Sequence, residues 1–356
     1  MDTAVSAPLR ELNGKQQTFL DCFRIAAAFL VFVGHSLCFA GIPETVDASY
    51  YNAYAELGVI MFFMLSGFLA AYTLEKKNAD HSYEFRRFAV HKLRRIMREY
   101  IPALLFIAAL DAVSIKVLGP RYRYYDTYDL KTFLGNLLLI QWTVLNRLPG
   151  ISVLAFGSAK PLWTLSVEWY FYLIHALLLL SIRNRRQLRL PELVVLALSL
   201  LLPIEYLVGG RGGGLGFVFA LGVFGYYFFE RLDRRMARLL LPACAVLTLV
   251  YVFLKVTAYS IYVFLLLWIA LCSGLCLLDG QTRQGRRRFT AYLSGSSFML
   301  YMLHFSILDF VFMSDALHST GWKLVVGPLL TLGISFGMYS SFGRRKPFAA
   351  LFPKRR

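Results

Sequence analysis

Apolar runs long enough to cross a bilayer recur along this chain, at about 20–40, 57–74, 100–118, 162–181, 191–208, 215–229, 239–257, 260–278, 296–313 and 324–342. A span needs about 20 apolar residues. In hydrocarbon every backbone N–H and C=O must find a partner within the protein, so such runs predict helices. With 58% of its 356 residues hydrophobic, the chain carries more apolar surface than a water-soluble domain can hide. The expectation is an all-α, polytopic transmembrane helix bundle of about ten spans, a single domain over 1–356. No internal repeat, low-complexity tract or second domain interrupts it.

Basic residues between the runs set the orientation. The net charge of +17 would suggest nucleic-acid binding on a soluble protein. Here the charge lies at the ends of apolar runs and reads as topology, so the expected partner is the lipid bilayer and no nucleic acid. The N-terminus through Arg24, then 75–100, 182–190, 230–238, 279–290 and 343–356, hold 29 of the 38 Lys and Arg residues. Placing these on one side puts both termini in the cytoplasm. The scheme closes only if 119–161 stays on the outer side, with 132–145 a candidate re-entrant segment rather than a crossing. The first span is expected to act as an uncleaved anchor. The five cysteines lie in or beside apolar runs, and no metal site or disulfide framework is expected from them.

Arg24 and His35 stand eleven residues apart in the first run. Eleven residues make about three turns, so both side chains leave one helix face within roughly 20°, about 16 Å apart along the axis. Ionisable groups inside a membrane helix normally face a bundle interior or a wet cavity, and the default reading is functional. Glu168, in the outer half of the fourth crossing, reaches a depth similar to His35, and Glu168, Tyr172 and His175 share one helix face. A carboxylate beside an imidazole orients it for proton transfer. The alternative is a structural hydrogen bond between helices.

Residues 91–100 concentrate Lys92, Arg94, Arg95 and Arg98 after the second span. A topogenic cluster accounts for part of this. The sharper reading is an anion site: with Arg24 on the same side, Arg95 and Arg98 could form a cytoplasmic mouth for a polyphosphate. Ser66-Gly67 is the polar break of span two. It reads first as close helix packing, with Ser66 a candidate nucleophile.

Four stretches together resemble the acyltransferase 3 family of integral-membrane acyltransferases. Leu20, Asp21, Arg24 and His35 fit its first motif, and Phe62, Phe63, Ser66, Gly67 and Phe68 its second. Leu162, Trp163, Leu165, Glu168, Phe171 and Tyr172 fit the third, and Ser297, Leu300, Tyr301 and His304 the last. The family's arginine motif departs here. Its frame gives Lys92, Arg95 and Ile96, with Arg98 where proline is common, while the literal Arg-x-x-Arg is Arg95 and Arg98.

The resemblance implies an enzyme that moves an acyl group, often acetyl, from acyl-coenzyme A to a hydroxyl of a glycan, glycolipid or polysaccharide. Acyl-CoA would be a co-substrate, with no tightly bound cofactor, and a bacterial inner membrane the expected location. Arg24, Lys92, Arg95 and Arg98 would hold the donor's phosphates. His35 would be general base, oriented by Glu168 or another buried polar group. Ser66, Tyr172, Tyr301 and His304 would line the channel or contact substrate. Direct transfer and a covalent acyl-enzyme both stand as routes. Buried His and Glu behind a basic mouth would equally suit a proton-coupled transporter or flippase of an anionic or lipid-linked substrate.

Overall fold

The structure, a computed structural model, describes residues 11–41, 52–79, 81–148, 150–208, 212–255, 257–314 and 319–343. Residues 1–10 and the basic tail 344–356, on which the orientation of the termini partly rests, lie outside the described residues, as does the 209–211 part of the glycine-rich turn. Among the described residues there is no strand. The helices are α1 (Gly14–Phe39), α2 (Ala53–Lys77), α3 (Phe85–Leu118), α4 (Leu130–Leu137), α5 (Trp163–Arg183), α6 (Leu190–Leu201), α7 (Ile204–Val208), α8 (Leu215–Phe228), α9 (Arg234–Lys255), α10 (Ile261–Leu277), α11 (Gln284–Met313) and α12 (Thr320–Met338). The chain is an all-α, multi-pass membrane bundle. Seven described helices (α1, α2, α3, α5, α9, α11 and α12) are long and apolar enough to cross. The other three apolar runs fold into α6, α8 and α10, of 12, 14 and 17 residues. The 191–208 run breaks at Pro203, which has no N–H to carry the helix from α6 into α7.

Local chemistry sets the helix ends. α1 begins at Gly14, before the apolar run, because Asn13 and Gln16 form a reciprocal capping box, each side chain bonding the other's backbone N–H at 3.0 Å. Asn52 caps α2 through Ala55 N, and its amide nitrogen also donates to Gly34 O at 2.6 Å, tying α2 to α1.

α2 is the axial helix, held by glycines that let backbones touch. A Cβ on Gly58 would lie 2.4 Å from Ala27 O of α1. One on Gly67 would lie 2.0 Å from Phe219 O of α8, and one on Gly222 of α8 would lie 2.0 Å from Met64 O. Small residues at helix contacts are how membrane helices gain dispersion contact without a hydrophobic driving force. Gly67 is thus a packing residue, whereas its neighbour Ser66 faces a cavity.

α3 has 34 residues, about 51 Å of helix against a hydrocarbon core of about 30 Å. Its first turns therefore continue past the apolar layer. The basic 91–100 stretch is helix rather than loop, and Arg95 and Arg98 lie well inside α3, not at its start.

The 119–161 segment packs into the protein. α4 has eight residues, about 12 Å of helix, too short to cross alone. Tyr100 donates to Asn136 O at 2.9 Å, Asn136 Nδ2 to Leu154 O at 2.7 Å, Gln141 Nε2 to Leu162 O at 3.1 Å, and Ser166 to Gln141 O at 3.0 Å. These side chains satisfy irregular backbone that water does not reach.

Candidate active site

A cavity of about 220 Å³ opens between α1, α2, α3, α5 and α11. Arg24, Lys92, Arg95 and Arg98 line it together with Ser66, Glu168, Tyr172 and Tyr301. Eight sequence-predicted residues from five helices thus share one space. Lys77 adds a further cation. Among the described lining residues, five Lys or Arg face two carboxylates, Glu99 and Glu168, so the cavity favours anions. Arg98 Nη2 pairs with Glu99 at 3.3 Å, but Arg98 Nε is buried with no hydrogen-bond partner among the described residues. An unpaired guanidinium donor at the wall of a basic cavity suits a phosphate oxygen. Arg24 Nη1 donates to Ser294 of α11 at 3.4 Å. The Lys92 ammonium sits 3.4 Å from the centroid of the Tyr172 ring, a cation–π contact.

Glu168 does not meet His35. Its Oε1 accepts from Ser66 Oγ at 2.5 Å and from the Tyr172 hydroxyl one turn along α5. The physical reason is depth: Thr164, one turn earlier on α5, already meets Tyr301, so Glu168 falls on the Arg24 side of that layer, where it pairs with α2 rather than reaching the level of His35. Ser66, with its hydroxyl donated to a carboxylate, is placed as a hydrogen-bond donor at the cavity wall.

His35 pairs instead with His304 of α11, His35 Nδ1 to His304 Nε2 at 2.8 Å, with the rings stacked 19° from parallel and 5.0 Å apart. Arg24 and His35, one face of α1, thus meet Ser294 and His304 of α11, and the two helices run parallel. The tautomers follow from the acceptors. His304 Nδ1 faces Tyr301 O at 2.8 Å and Leu300 O at 3.2 Å. Carbonyls only accept, so Nδ1 carries the proton and Nε2 of the neutral ring offers a lone pair. His35 Nδ1–H donates to that lone pair. Nε2 of His35 is then the unprotonated nitrogen, the form a general base requires.

Among the described residues lining the basic cavity, His35 and His304 are not included. A polar–aromatic layer stands between. The Tyr301 hydroxyl bonds Thr164 Oγ1 at 2.7 Å and donates to Pro161 O at 3.1 Å, and its ring meets Phe62 edge-on at 5.2 Å. Behind it, the Tyr301 and His304 rings lie 5.9 Å apart. Thr164 and Ser294, which the sequence reading passed over, complete this wall. Asp111 and Asp309 were also passed over, although a carboxylate in an apolar run is the same signal that singled out Glu168.

A multi-pass helical membrane protein with a cation-lined cavity and, across the Tyr301–Thr164 layer, a paired half-buried and buried imidazole is what the fold and site define. The chain belongs to the acyltransferase 3 family, whose acyltransferase domain matches residues 17–340. A protein of Shigella phage Sf6 named "O-acetyl transferase" is 25% identical over 185 residues, covering 51% of this chain and 51% of that protein. The match thus spans about half the length of that relative. No solved structure matches the chain.

Proposed function

We propose that the protein is a membrane O-acyltransferase, transferring an acyl group, acetyl by its likeness to the phage protein, from acyl-coenzyme A to a hydroxyl of a glycan, glycolipid or polysaccharide. A bacterial cytoplasmic membrane is the location we propose. The observation that carries this reading is the sequence of chemistries along one path: a cationic cavity, then the Tyr301–Thr164 layer, then an imidazole whose Nε2 is held unprotonated.

The donor enters from the basic end. Arg24, Lys92, Arg95 and Arg98 bind its phosphates, with Arg98 Nε the unpaired donor. The cavity of about 220 Å³ suits the thin pantetheine arm, leaving the nucleotide at the mouth. For the thioester to reach His35, the Tyr301 ring swings off Thr164. The acceptor hydroxyl loses its proton to His35 Nε2 as its oxygen attacks the thioester carbonyl. The imidazolium is stabilised through Nδ1–H and the His304 lone pair. Collapse of the tetrahedral intermediate breaks the C–S bond, and the thiolate leaves as coenzyme A with the proton from His35. The Tyr301 hydroxyl, next to His304, is placed to donate to the developing oxyanion once it has left Pro161.

Purified protein in nanodiscs, given acetyl-CoA, tests the reading. Protein-dependent release of free thiol is expected. Absence of release, with acetyl-CoA or an acidic lipid-linked glycan moved between leaflets instead, would replace the enzyme with the transporter reading.

A further inference from the structure

Two carboxylates stand among the described lining residues of the basic cavity, and the transfer step uses neither. Glu99 is 6% exposed, pairs with Arg98 at 3.3 Å, and keeps its other oxygen buried in the wall. Glu168 is different. It is half-buried, faces the cavity and makes no ion pair among the described residues. Its Oε1 accepts from Ser66 Oγ of α2 at 2.5 Å and from the Tyr172 hydroxyl of α5. With Oε1 held from two helices, Oε2 is the oxygen left for the cavity, and it has no hydrogen-bond partner among the described residues.

A carboxylate aimed into this space opposes the phosphates that the surrounding cations attract. An ionised carboxylate only accepts hydrogen bonds, so its presence calls for a ligand N–H or O–H at that depth. The depth follows from α5. Thr164, Glu168 and Tyr172 stand on successive turns of one face, about 6 Å apart along the axis. Thr164 meets Tyr301 at 2.7 Å, at the layer before the histidines, and Tyr172 carries the Lys92 ammonium 3.4 Å from its ring centroid. On α11, Ser294 bonds Arg24 from two turns below Tyr301. Glu168 therefore lies one turn from the layer, between it and the first cations, with Lys77 farther out near the end of α2. The arm of acyl-coenzyme A has its groups in the same order. The thioester sulfur comes first, two methylenes lead to the cysteamine amide N–H, and the phosphates follow farther along.

We propose that Glu168 Oε2 accepts the cysteamine amide N–H of the donor, and that this contact sets the thioester at the Tyr301–Thr164 layer. The cavity then selects thioesters that carry an amide N–H two methylenes from the sulfur, in addition to phosphates. Ser66 and Tyr172 are positioning residues: their hydroxyls hold Oε1 and so fix where Oε2 points. A neutral amide suits the place, because its N–H satisfies the carboxylate without taking a cation away from the phosphates. The contact rests on the acyl-coenzyme A reading above and supplies the role for Glu168 that the transfer step leaves open.

The test uses the full chain in nanodiscs and reads binding rather than turnover. S-ethyl-coenzyme A, a thioether that cannot transfer, is compared by calorimetry with an analogue in which CH2 replaces the cysteamine N–H. Wild type is expected to bind the amide about tenfold or more tightly, the scale of a hydrogen bond to a charged group. In Glu168→Gln the side-chain oxygen stays with the Ser66 and Tyr172 donors and the NH2 faces the ligand, so the preference should shrink to within about twofold. Glu168→Ala reads the same loss should Glu168→Gln fail to fold. Equal binding of the two compounds by wild type would overturn the contact. So would a preference that survives both substitutions, the result expected of a Glu168 that only balances charge and so shifts both affinities by one factor. Failure of wild type to bind either compound would overturn the donor reading and the contact with it. An amide preference that is lost as expected, in a protein that cleaves no acetyl-CoA, would uphold the contact and overturn the transfer reading instead.

Discussion

His304→Phe isolates what the histidine pair does. The substitution keeps an aromatic ring against His35 but removes the acceptor 2.8 Å from His35 Nδ1. The Nδ1–H is then buried without a partner, which costs about 1–3 kcal/mol in the tautomer that catalysis uses. At about 1.4 kcal/mol per decade of rate, kcat should fall about 5- to 150-fold. Removing a general base altogether costs about 10²- to 10⁴-fold, so this variant should stay more active than His35→Ala. His304 lies outside the basic cavity, so the acetyl-CoA KM should hold. His304→Gln is the conservative control, since its Oε1 can occupy the place of Nε2 and accept from His35, recovering most of the rate. The assay is steady-state thiol release coupled to acceptor acylation, with the melting temperature of each variant measured in the same nanodiscs. A His304→Phe enzyme within about twofold of wild-type kcat would refute the tautomer lock. So would a His304→Gln enzyme no faster than His304→Phe, or an acetyl-CoA KM that rises in step with the loss of kcat.

Three further outcomes follow from the packing and the cavity. Arg24→Ala should raise the acetyl-CoA KM about tenfold or more, the worth of a charged hydrogen bond, with little change in acceptor KM; a change confined to the acceptor would contradict its donor role. Tyr301→Phe loses the bonds to Thr164 and Pro161, so hydrolysis of acetyl-CoA without acceptor should rise against transfer by about 2- to 10-fold, the scale of one neutral hydrogen bond; an unchanged ratio would deny that the layer gates the passage. Gly67→Ala would drive a Cβ to 2.0 Å from Phe219 O, and about 1–3 kcal/mol of lost stability should appear as a lower melting temperature; an unshifted transition would mean that α2 and α8 separate freely.

The helices were legible because each apolar run must satisfy its own backbone. Their ends were less so. The capping box of Asn13 and Gln16 that starts α1 lies before the apolar run, so hydropathy alone places the start of the helix too late. The first turns of α3 leave no mark in hydropathy, which stops where a helix leaves the apolar layer, whereas hydrogen bonding does not. α6 is short because one proline interrupts an otherwise uniform run. At the site, that polar residues of the spans face the bundle interior could be read from the sequence, and Arg24, Ser66, Glu168 and Tyr301 do converge on one cavity. The direction a helix faces could not, because it depends on which neighbour each helix packs against. Glu168 lies on the Arg24 side of the Tyr301 layer rather than at the depth of His35, and the packing of α1 on α11 brings His304 to His35 instead.

The central claim is that His35 Nε2 takes the acceptor proton at the end of a path that begins at Arg24. Acyl transfer by purified His35→Ala protein in nanodiscs, at matched expression and melting temperature, tests it most directly. The account predicts a fall in kcat of about 10²-fold or more with acetyl-CoA binding retained. Transfer at the wild-type rate would contradict it.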